Sequence, residues 1–474
     1  MINIFFLTPE MFLATAGLII LIGGTVLGEK HIRFLFHLGI ISSAAALGMV
    51  ATQNAGAAGL GSMWIMDPSA LLFKALVLVC TILTLMMSFN YTAIPLKHTG
   101  AYTALLLWAS AGMMALSGAM DFIYLLLSLE LISLSCFILT GFEARNQRSS
   151  EGAIKYFLIG ALSTAVTVYG ISLFYGATGT TSLINPASDI SLHVKEPMYL
   201  MSLLFILVGF GFKVSIVPFH FWVPDAYEGA PTPVTAYLSV ASKLAALGAM
   251  LRVFTAVIPH QMLGFGALIA LLAALTMTLG NLAALYQSNV KRLLAYSSIA
   301  QAGYMLIGLV VADDIGREGV MLYAIAYLAA NMGAFAVSIV VAARSGSYEL
   351  DGYNGLAKRS FGLSLIMAMF LLSLAGIPPM AGFVGKFYVF ASAVNAPQYL
   401  WLAVLGVINS VISVYYYMKI THRMFFTVSD DTEPVRTDLY MAGVLAFTAA
   451  LTLVIGILPQ TFIQAVKACI AFRL

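Results

Sequence analysis

Four ionisable side chains stand inside strongly apolar stretches of the sequence, where a charge is costly. Glu130 follows Leu-Leu-Leu-Ser-Leu, and Lys213, Lys243 and Lys386 lie in other apolar stretches. A charge at the centre of a lipid bilayer costs about 2.5 to 3.5 kcal/mol on insertion scales, so such residues normally face a bundle interior or a hydrated cavity. Glu130 is the only acidic residue that we expect deep inside an apolar run, which makes it the natural counter-charge for a lysine. Because a buried lysine changes its proton affinity when it gains or loses such a partner, this set predicts proton translocation.

Two of these lysines stand beside residues that break helices. Lys213 lies between two glycines and a proline, and Lys386 follows two adjacent prolines. A proline inside a helix frees the carbonyl group four residues earlier, so a polar, hydrated pocket can form at that depth. Broken helices at corresponding places in two halves of a chain are typical of inverted-repeat transporters with sites near the membrane midplane. Lys243, on the next predicted helix, is expected to bridge the two halves.

Other interpretations of the charged and aromatic residues stay open. Buried charges can serve only to fix helix register and packing. Lys74 lies one to two turns from a predicted helix end, where its side chain can snorkel to the membrane surface. The three adjacent tyrosines at 415–417 are interpreted as interfacial anchors or packing aromatics.

Three histidines lie at or near predicted loop ends: His98, His220 and His422. A solvated or capping histidine is the simplest interpretation of each. His220 is kept as a secondary candidate for a proton relay, because imidazole titrates near physiological pH.

The elements that must position these residues are transmembrane helices. Of the 474 residues, 61% are hydrophobic and 9% are charged, whereas soluble domains have roughly 25% charged residues. Apolar runs long enough to cross a core of about 30 Å predict an all-α polytopic membrane protein with about fourteen spans. The net charge of +3 gives no indication of nucleic-acid binding. The predicted spans lie near 9–28, 34–52, 66–89, 101–119, 121–141, 152–177, 199–220, 233–257, 262–285, 292–312, 319–343, 361–380, 399–420 and 439–463.

Basic residues predict the orientation of these spans. With alternate loops assigned to opposite sides, 14 of the 23 lysines and arginines fall on one side and 5 on the other. Short cytoplasmic loops collect basic residues, so both termini are predicted on the periplasmic side of the membrane. The start of the chain has no basic region before its first apolar run, so we expect the first helix to be retained and not cleaved as a signal peptide.

Topology predicts two inverted repeats of five spans each. Spans four to eight and nine to thirteen form the units, and the broken spans, seven and twelve, are each fourth in their unit. Identity between the halves is weak, so this prediction depends on topology. The corresponding division is 1–100 for the first three helices, 101–257 and 258–425 for the repeats, and 426–474 for the last helix.

The cysteines predict no redox centre or metal site on this chain. Cys80, Cys136 and Cys469 lie far apart in apolar stretches. They form no Cys-x-x-Cys motif and no Cys/His pattern of the kind that holds zinc, haem or an iron–sulfur cluster. We therefore expect no cofactor on this chain.

Several stretches carry a more specific pattern. The longest, 212–243, begins Phe-Lys-Val-Ser-Ile-Val-Pro-Phe-His-Phe-Trp-Val-Pro-Asp-Ala-Tyr-Glu-Gly-Ala-Pro. It is joined by the Leu-Ser-Leu-Glu-Leu context of Glu130 and by 291–304 and 376–386. Together they resemble the antiporter-like membrane subunits shared by respiratory complex I and multisubunit cation/proton antiporters. The resemblance covers nearly the whole chain.

Within that family the sequence is most similar to the N subunit of bacterial complex I. Lys386 stands where the M subunit is expected to carry a glutamate, and the chain stops soon after span fourteen, whereas the L subunit continues into a long lateral helix. The resemblance implies a proton-translocating membrane-arm subunit of NADH-quinone oxidoreductase in a bacterial inner membrane. NADH, FMN, iron–sulfur clusters and quinone would all be bound by other subunits. Neighbouring antiporter-like and small membrane subunits, together with the lipid bilayer, would be its partners.

The resemblance also implies roles for individual residues. Glu130 and Lys213 would form the ion pair that gates proton uptake, and Lys243 would be the central relay. Lys386 would pass the proton towards the outlet. Lys155 matches a family lysine near the cytoplasmic end of span six.

Two other functions are compatible with the same fold. A subunit of a sodium/proton antiporter would work without a redox module, and a non-pumping scaffold would only bridge its neighbours. Quinone reductase partners would favour the complex I reading, and sodium-dependent transport would favour the antiporter. The corresponding subunit of the photosynthetic type of the complex is also similar.

Overall fold

The computed structural model describes residues 8–27, 33–53, 57–59, 63–183, 196–257, 263–429 and 433–470. Nearly all of these residues are helical, which confirms the predicted all-α class, and two short antiparallel strands, β1 (Ala57–Gly59) and β2 (Trp64–Met66), pair with each other. The helices, in chain order, are α1 Thr8–Val26, α2 Phe34–Thr52, α3 Pro68–Ser88, α4 Thr99–Ser117, α5 Phe122–Thr140, α6 Gln147–Thr178, α7 Pro197–Val214, α8 Trp222–Gly229, α9 Thr232–Tyr237, α10 Lys243–Val257, α11 Leu263–Leu285, α12 Val290–Val311, α13 Asp314–Ser345, α14 Leu356–Arg359, α15 Phe361–Ala375, α16 Ala381–Asn395, α17 Leu400–Phe426, α18 Leu439–Ile457 and α19 Pro459–Ile470.

Short polar residues start several of these helices. Asp67 accepts a hydrogen bond from the backbone N–H of Ala70 at 2.6 Å at the start of α3, and Asp121 accepts one from Ile123 at 2.8 Å at the start of α5. Such caps satisfy N–H groups that have no partner within the helix. A polar cap followed by an apolar run therefore fixes where each of these spans begins.

Thirteen helical segments in the described ranges are long and apolar enough to cross a membrane, and the shorter apolar helix α15 adds to them. Helix α15 and helix α16 together make the predicted twelfth span, which continues to Asn395 and not only to 380. The predicted set of about fourteen spans is thus reproduced when this broken span is counted. Lys30, Lys195 and Arg473, which contribute to the predicted orientation, lie outside the described residues.

Successive spans run in opposite directions and define two faces. We call the end at which α1 and α3 begin the N-terminal face, and the end at which α6 and α12 begin the opposite face. At the N-terminal face, Trp64 pairs with Ala119 and Asp121 pairs with Ser182 in isolated strand-like bridges. The first contact joins the segment before α3 to the segment after α4, and the second joins the start of α5 to the segment after α6.

Both predicted helix breaks are present, and their backbones are alike. Helix α7 is followed by Ser215, with φ of 70°, and α15 by Gly376, with φ of 85°. In each break the next residue donates its N–H to the carbonyl five residues earlier, at 2.8 Å in the first and 3.0 Å in the second. This left-handed closing motif satisfies carbonyls that a helix end otherwise leaves free. The peptide bonds before Pro218 and Pro379 are cis.

The third helices of the two predicted repeats are also alike. Helix α6 and helix α13 each have 32 residues. Each packs against both halves of the broken span that follows it. Helix α13 lies at the centre of the molecule and is buried along its whole apolar window. These similarities support the predicted repeats, and the four-part division of the chain stays a prediction.

Candidate functional site

Glu130 and Lys213 line one small cavity between α5, α6 and α7. Lys213 is 4% exposed, and its Nζ atom has no hydrogen-bond partner among the described residues. Glu130 accepts a hydrogen bond from Thr164 Oγ1 at 2.7 Å. In the described part of the chain no ion pair within 4.0 Å joins Glu130 to Lys213, so the pair that the resemblance implies is not formed here. The two charges share a cavity whose other polar residues are Ser133, Ser163, Thr164 and Thr167.

Aromatic side chains hold the break next to Lys213. Trp222 Nε1 donates to the backbone carbonyl of Phe212 at 3.2 Å, near the end of α7. The indole ring stacks on Tyr156 with ring centroids 4.0 Å apart. Lys213 Nζ lies 5.6 Å from the Phe212 ring and 6.0 Å from the Tyr156 ring. These ring faces supply a weak attraction for the ammonium in the absence of a contacting carboxylate.

Lys243 is held in the middle of the bundle by a serine of α12. A π-helical turn, Leu238–Ser242, directly precedes it and joins α9 to α10. Such turns interrupt the regular hydrogen bonding of a helix and are frequent at functional sites. Lys243 is 2% exposed, and its Nζ donates to Ser298 Oγ at 2.8 Å and to the Ser298 carbonyl at 2.9 Å. This contact joins a helix of the first predicted repeat to a helix of the second.

Lys386 reaches back across the second break. It stands on α16 and is 3% exposed, yet its Nζ donates to the carbonyl of Ala375, the last residue of α15, at 3.0 Å. It also donates to Ser410 Oγ at 3.2 Å, and the Tyr304 ring lies 4.3 Å away. Free carbonyls and the helix dipole favour a positive charge at the C-terminal end of a helix. Lys386 therefore stabilises the broken end of α15.

The two breaks do not carry their lysines at equivalent positions. Lys213 precedes the left-handed Ser215 by two residues, whereas Lys386 follows the left-handed Gly376 by ten. The residue ten positions after Ser215 is Asp225, which is acidic. The shared feature of the two interrupted segments is thus the break itself, and each half places its lysine differently around it.

A buried series of hydroxyl and amide groups lies between the residues that bind the lysines of α10 and α16. Ser297, the neighbour of the serine bonded to the α10 lysine, has its hydroxyl 2.6 Å from that of Tyr417. Gln301 Nε2 donates to the Tyr417 hydroxyl and to the carbonyl of Leu374, both at 3.0 Å. That carbonyl is adjacent in the chain to the one bonded by the α16 lysine. We call Ser297, Gln301 and Tyr417 the polar link.

The tyrosines of α17 correct one sequence interpretation. Tyr415 is 66% exposed, but Tyr416 and Tyr417 are fully buried. The Tyr416 hydroxyl donates to Asn281 Oδ1 at 2.9 Å. The interpretation as interfacial anchors is therefore wrong for Tyr416 and Tyr417, whose hydroxyls belong to the buried polar region. The sequence contains a pattern that indicates this burial. Polar residues recur at helical spacing along one buried face of α17, at Asn409, Ser413, Tyr416 and Tyr417.

The two secondary candidates lie away from the polar link. The Lys155 side chain is 42% exposed and forms an ion pair with Asp225 at 2.6 Å. Arg292 contacts the same carboxylate at 2.8 Å, so these charges tie α6, α8 and α12 together at the opposite face. His220 is half-buried in the first break, with its ring centroid 4.5 Å from that of Phe221.

Lys74 corrects a second interpretation. Its side chain is fully buried and lies 2.6 Å from a carboxylate oxygen of Glu10, so it does not snorkel to the surface. Glu130 is half-buried, whereas two acids at helix starts are more deeply buried, with Glu10 6% exposed and Asp67 5% exposed. Asp67 pairs with buried Arg252 at 2.7 Å. No sequence pattern joins these residues, because they come from three helices that are far apart in the chain.

The cysteines are free thiols in the structure. Cys80 and Cys136 are buried on different helices, and Cys469 is half-buried. In the described ranges no three His, Cys, Asp or Glu side chains gather as a metal site would require.

Comparison with known proteins agrees with this architecture. A family model for the transmembrane region of NADH:quinone oxidoreductase and Mrp antiporter subunits matches residues 119–413. The chain is 42% identical over 466 residues to NADH-quinone oxidoreductase subunit N of Moorella thermoacetica, covering 97% of this chain and 96% of that protein. It is 40% identical over 466 residues to subunit N of Desulforamulus reducens, covering 96% of each.

Solved structures give the same result. A chain of respiratory complex I from Thermus thermophilus is 32% identical and superposes with a TM-score of 0.83, covering 97% of this chain and 99% of that one. A chain of the Mrp complex from a Dietzia species is 19% identical with a TM-score of 0.83, covering 98% and 97%, and so shares the fold. The chain belongs to the antiporter-like membrane subunits of the NADH:quinone oxidoreductase/Mrp antiporter family, among the relatives named subunit N.

Proposed function

We propose that this chain, a multi-pass antiporter-like subunit of the complex I membrane arm, moves protons along a midplane axis of Glu130, Lys213, Lys243 and Lys386. Quinone reduction elsewhere in the complex would drive the movement. The observation that carries the proposal is the burial of three lysines, which are 4%, 2% and 3% exposed, in an interior that also holds the small polar cavity beside Lys213 and the polar link. Intramembrane ionisable groups of this kind mark proton pathways.

The first step takes place at Lys213. A buried ammonium without a contacting carboxylate is disfavoured, so separation of Glu130 from Lys213 promotes release of the proton, and approach promotes its uptake. The bond from Thr164 to Glu130 holds the carboxylate out of contact with the ammonium. We assign this arrangement, in which the two groups form no ion pair, to the separated state of the proposed switch.

The second step joins Lys243 to Lys386. A hydroxyl group both donates and accepts hydrogen bonds, so it can receive a proton on one side while it releases another. Ser298 bonds to Lys243 directly, and the polar link continues from the neighbouring Ser297 to Tyr417. The Gln301 amide fixes Tyr417 beside the end of α15, where Lys386 is bonded.

The partners follow from the relatives. Proteins named NADH-quinone oxidoreductase subunit N share about 40% identity over the full length. We infer that NADH, FMN, the iron–sulfur clusters and quinone are bound by other subunits, and that neighbouring antiporter-like and small membrane subunits flank this chain. A bacterial inner membrane, with both termini on the periplasmic side, is the proposed location.

The test uses the intact complex in inverted membrane vesicles. Glu130→Gln and Lys213→Ala should leave assembly intact and abolish most NADH-driven proton pumping, because each removes one half of the charge switch. Lys358→Ala, at an exposed position, is the matched control and should pump normally. Unchanged pumping by both charge variants in fully assembled complex would exclude the direct role. Sodium-dependent transport without quinone reductase activity would instead favour the antiporter alternative.

A further inference from the structure

A second set of buried charges lies outside the proposed axis, close to the N-terminal face. We call it the N-terminal charge cluster: Glu10 of α1, Asp67 and Lys74 of α3, and Arg252 of α10. Their side chains are between 0% and 8% exposed. Lys74 Nζ lies 2.6 Å from Glu10, and Arg252 lies 2.7 Å from Asp67. Removing ions from water costs several kcal/mol for each, so two buried pairs at one face require an explanation.

The two pairs differ in how well they are satisfied. Asp67 caps α3, accepts a hydrogen bond from Arg252 Nη2 at 2.8 Å and lies 2.7 Å from Arg252 Nη1. By contrast, Lys74 and both carboxylate oxygens of Glu10 have no well-oriented hydrogen bond to the described residues, although the charges touch. The other neighbour of the ammonium is the Trp64 ring, 4.3 Å away. The arginine pair is therefore a fixed tie between α3 and α10, whereas the lysine pair is held mainly by its own attraction.

The two pairs also differ in whether their basic residue can lose a proton. Arginine stays protonated in proteins, but a buried lysine can lose its proton. Contact at 2.6 Å allows the proton of the Lys74 ammonium to pass directly to Glu10. Glu10 stands in the first turn of α1, close to the N-terminal face, and its two carboxylate oxygens are buried. Lys74 lies about 9 Å into α3, and side chains on a helix lean towards its N-terminal end, here towards Glu10.

Helix α3 also contacts the helix that carries Lys243. A methyl group added at Gly248 of α10 would lie 2.8 Å from the Phe73 ring, so α3 and α10 pack closely about one turn beyond Lys243. On the far side of Lys74, the Thr81 hydroxyl is 2.6 Å from that of Ser110. The Ser110 hydroxyl is in turn 2.6 Å from that of Tyr237, in α9. Two polar contacts thus lead from α3 to the span that carries Lys243. One is the Asp67–Arg252 pair and the other is the series of hydroxyls of Thr81, Ser110 and Tyr237. Lys74 lies between them along α3.

We propose that Glu10 and Lys74 form a proton-exchange site between the Lys243 span and the water at the N-terminal face, an inference that rests on the proposed function. The N–H bond of the Lys74 ammonium breaks and an O–H bond forms on Glu10, which leaves a neutral amine and a neutral carboxyl group. Glu10 then gives its proton to water, and Lys74 takes the next proton from the interior. With the predicted orientation, the site releases protons outside. Within the described residues, Asp67, Arg252 and, from α5, Tyr124 are titratable or charged groups near the pair.

The experiment compares three variants in the intact complex: Glu10→Gln/Lys74→Met, Glu10→Asp and, as matched control, Glu318→Gln. Glu318 is a half-buried acid of α13 near the same face. Because neutral side chains often replace a buried ion pair without loss of stability, the double variant should assemble normally. We expect it to lose most pumped protons per NADH oxidised. Glu10→Asp should retain pumping with an altered dependence on external pH, and the control should match the unmodified complex.

Normal pumping by the double variant would show that the pair is only a structural tie, and would overturn the proposal. Failure of the double variant to assemble would overturn it too, because the pair would then be required for structure. Lys213→Ala in parallel vesicles separates the two hypotheses. If Lys213→Ala pumps normally, the proposed function itself fails. If Lys213→Ala is inactive while the double variant pumps normally, only the exchange site fails.

Discussion

Tyr417→Phe tests the polar link with the removal of one oxygen atom. The hydroxyl of Tyr417 is 2.6 Å from Ser297 Oγ and accepts from Gln301 Nε2 at 3.0 Å. A buried polar group left without its partner costs about 1 to 3 kcal/mol. If that cost falls on the proton-transfer step, the rate decreases roughly 5- to 150-fold, since each 1.36 kcal/mol corresponds to a factor of ten. The loss in pumping should therefore be far larger than the small change in side-chain volume suggests.

The assay measures proton pumping, NADH:quinone reductase activity and assembly in the same vesicles. Tyr415→Phe is the matched control, because it removes the same oxygen from a tyrosine two positions earlier that is 66% exposed. We expect normal assembly for both variants and slow pumping for Tyr417→Phe alone. Pumping at the unmodified rate by an assembled Tyr417→Phe complex would refute the link between Lys243 and Lys386.

Two further predictions concern structure. Gly382→Ala places a methyl group on the backbone carbonyl of Ser373, which should prevent α16 from packing in its place. Native gels should then show less assembled complex. Gly362→Ala is the control, because its methyl group meets nothing within 4 Å, and it should assemble normally. Arg252→Met leaves the buried Asp67 carboxylate unpaired at a cost of about 3 to 5 kcal/mol, so the solubilised complex should unfold at a lower temperature. Replacing Asp67 by Asn in the same chain should recover part of the loss; a single variant as stable as the unmodified protein would contradict the pairing.

The spans and the burial of the lysines could be predicted from the sequence because the bilayer imposes one-dimensional rules. Backbone groups in lipid must bond within their own helix, so each span needs an uninterrupted apolar run of fixed length. A charge inside such a run is conspicuous because of its cost, which is why Lys213, Lys243 and Lys386 could be named in advance. The glycines and prolines beside Lys213 likewise indicated a break, and the structure has one after Val214.

The partner of each charge was decided only by the tertiary structure. Glu10 lies in the first turn of α1, and only the tertiary arrangement of α1 and α3 places it against Lys74. The polar link likewise depends on which faces of α12 and α17 meet. Hydropathy measures the preference of each residue for lipid or water, but contacts between helices distant in the chain depend on side-chain shape and on helix rotation, which no single segment specifies.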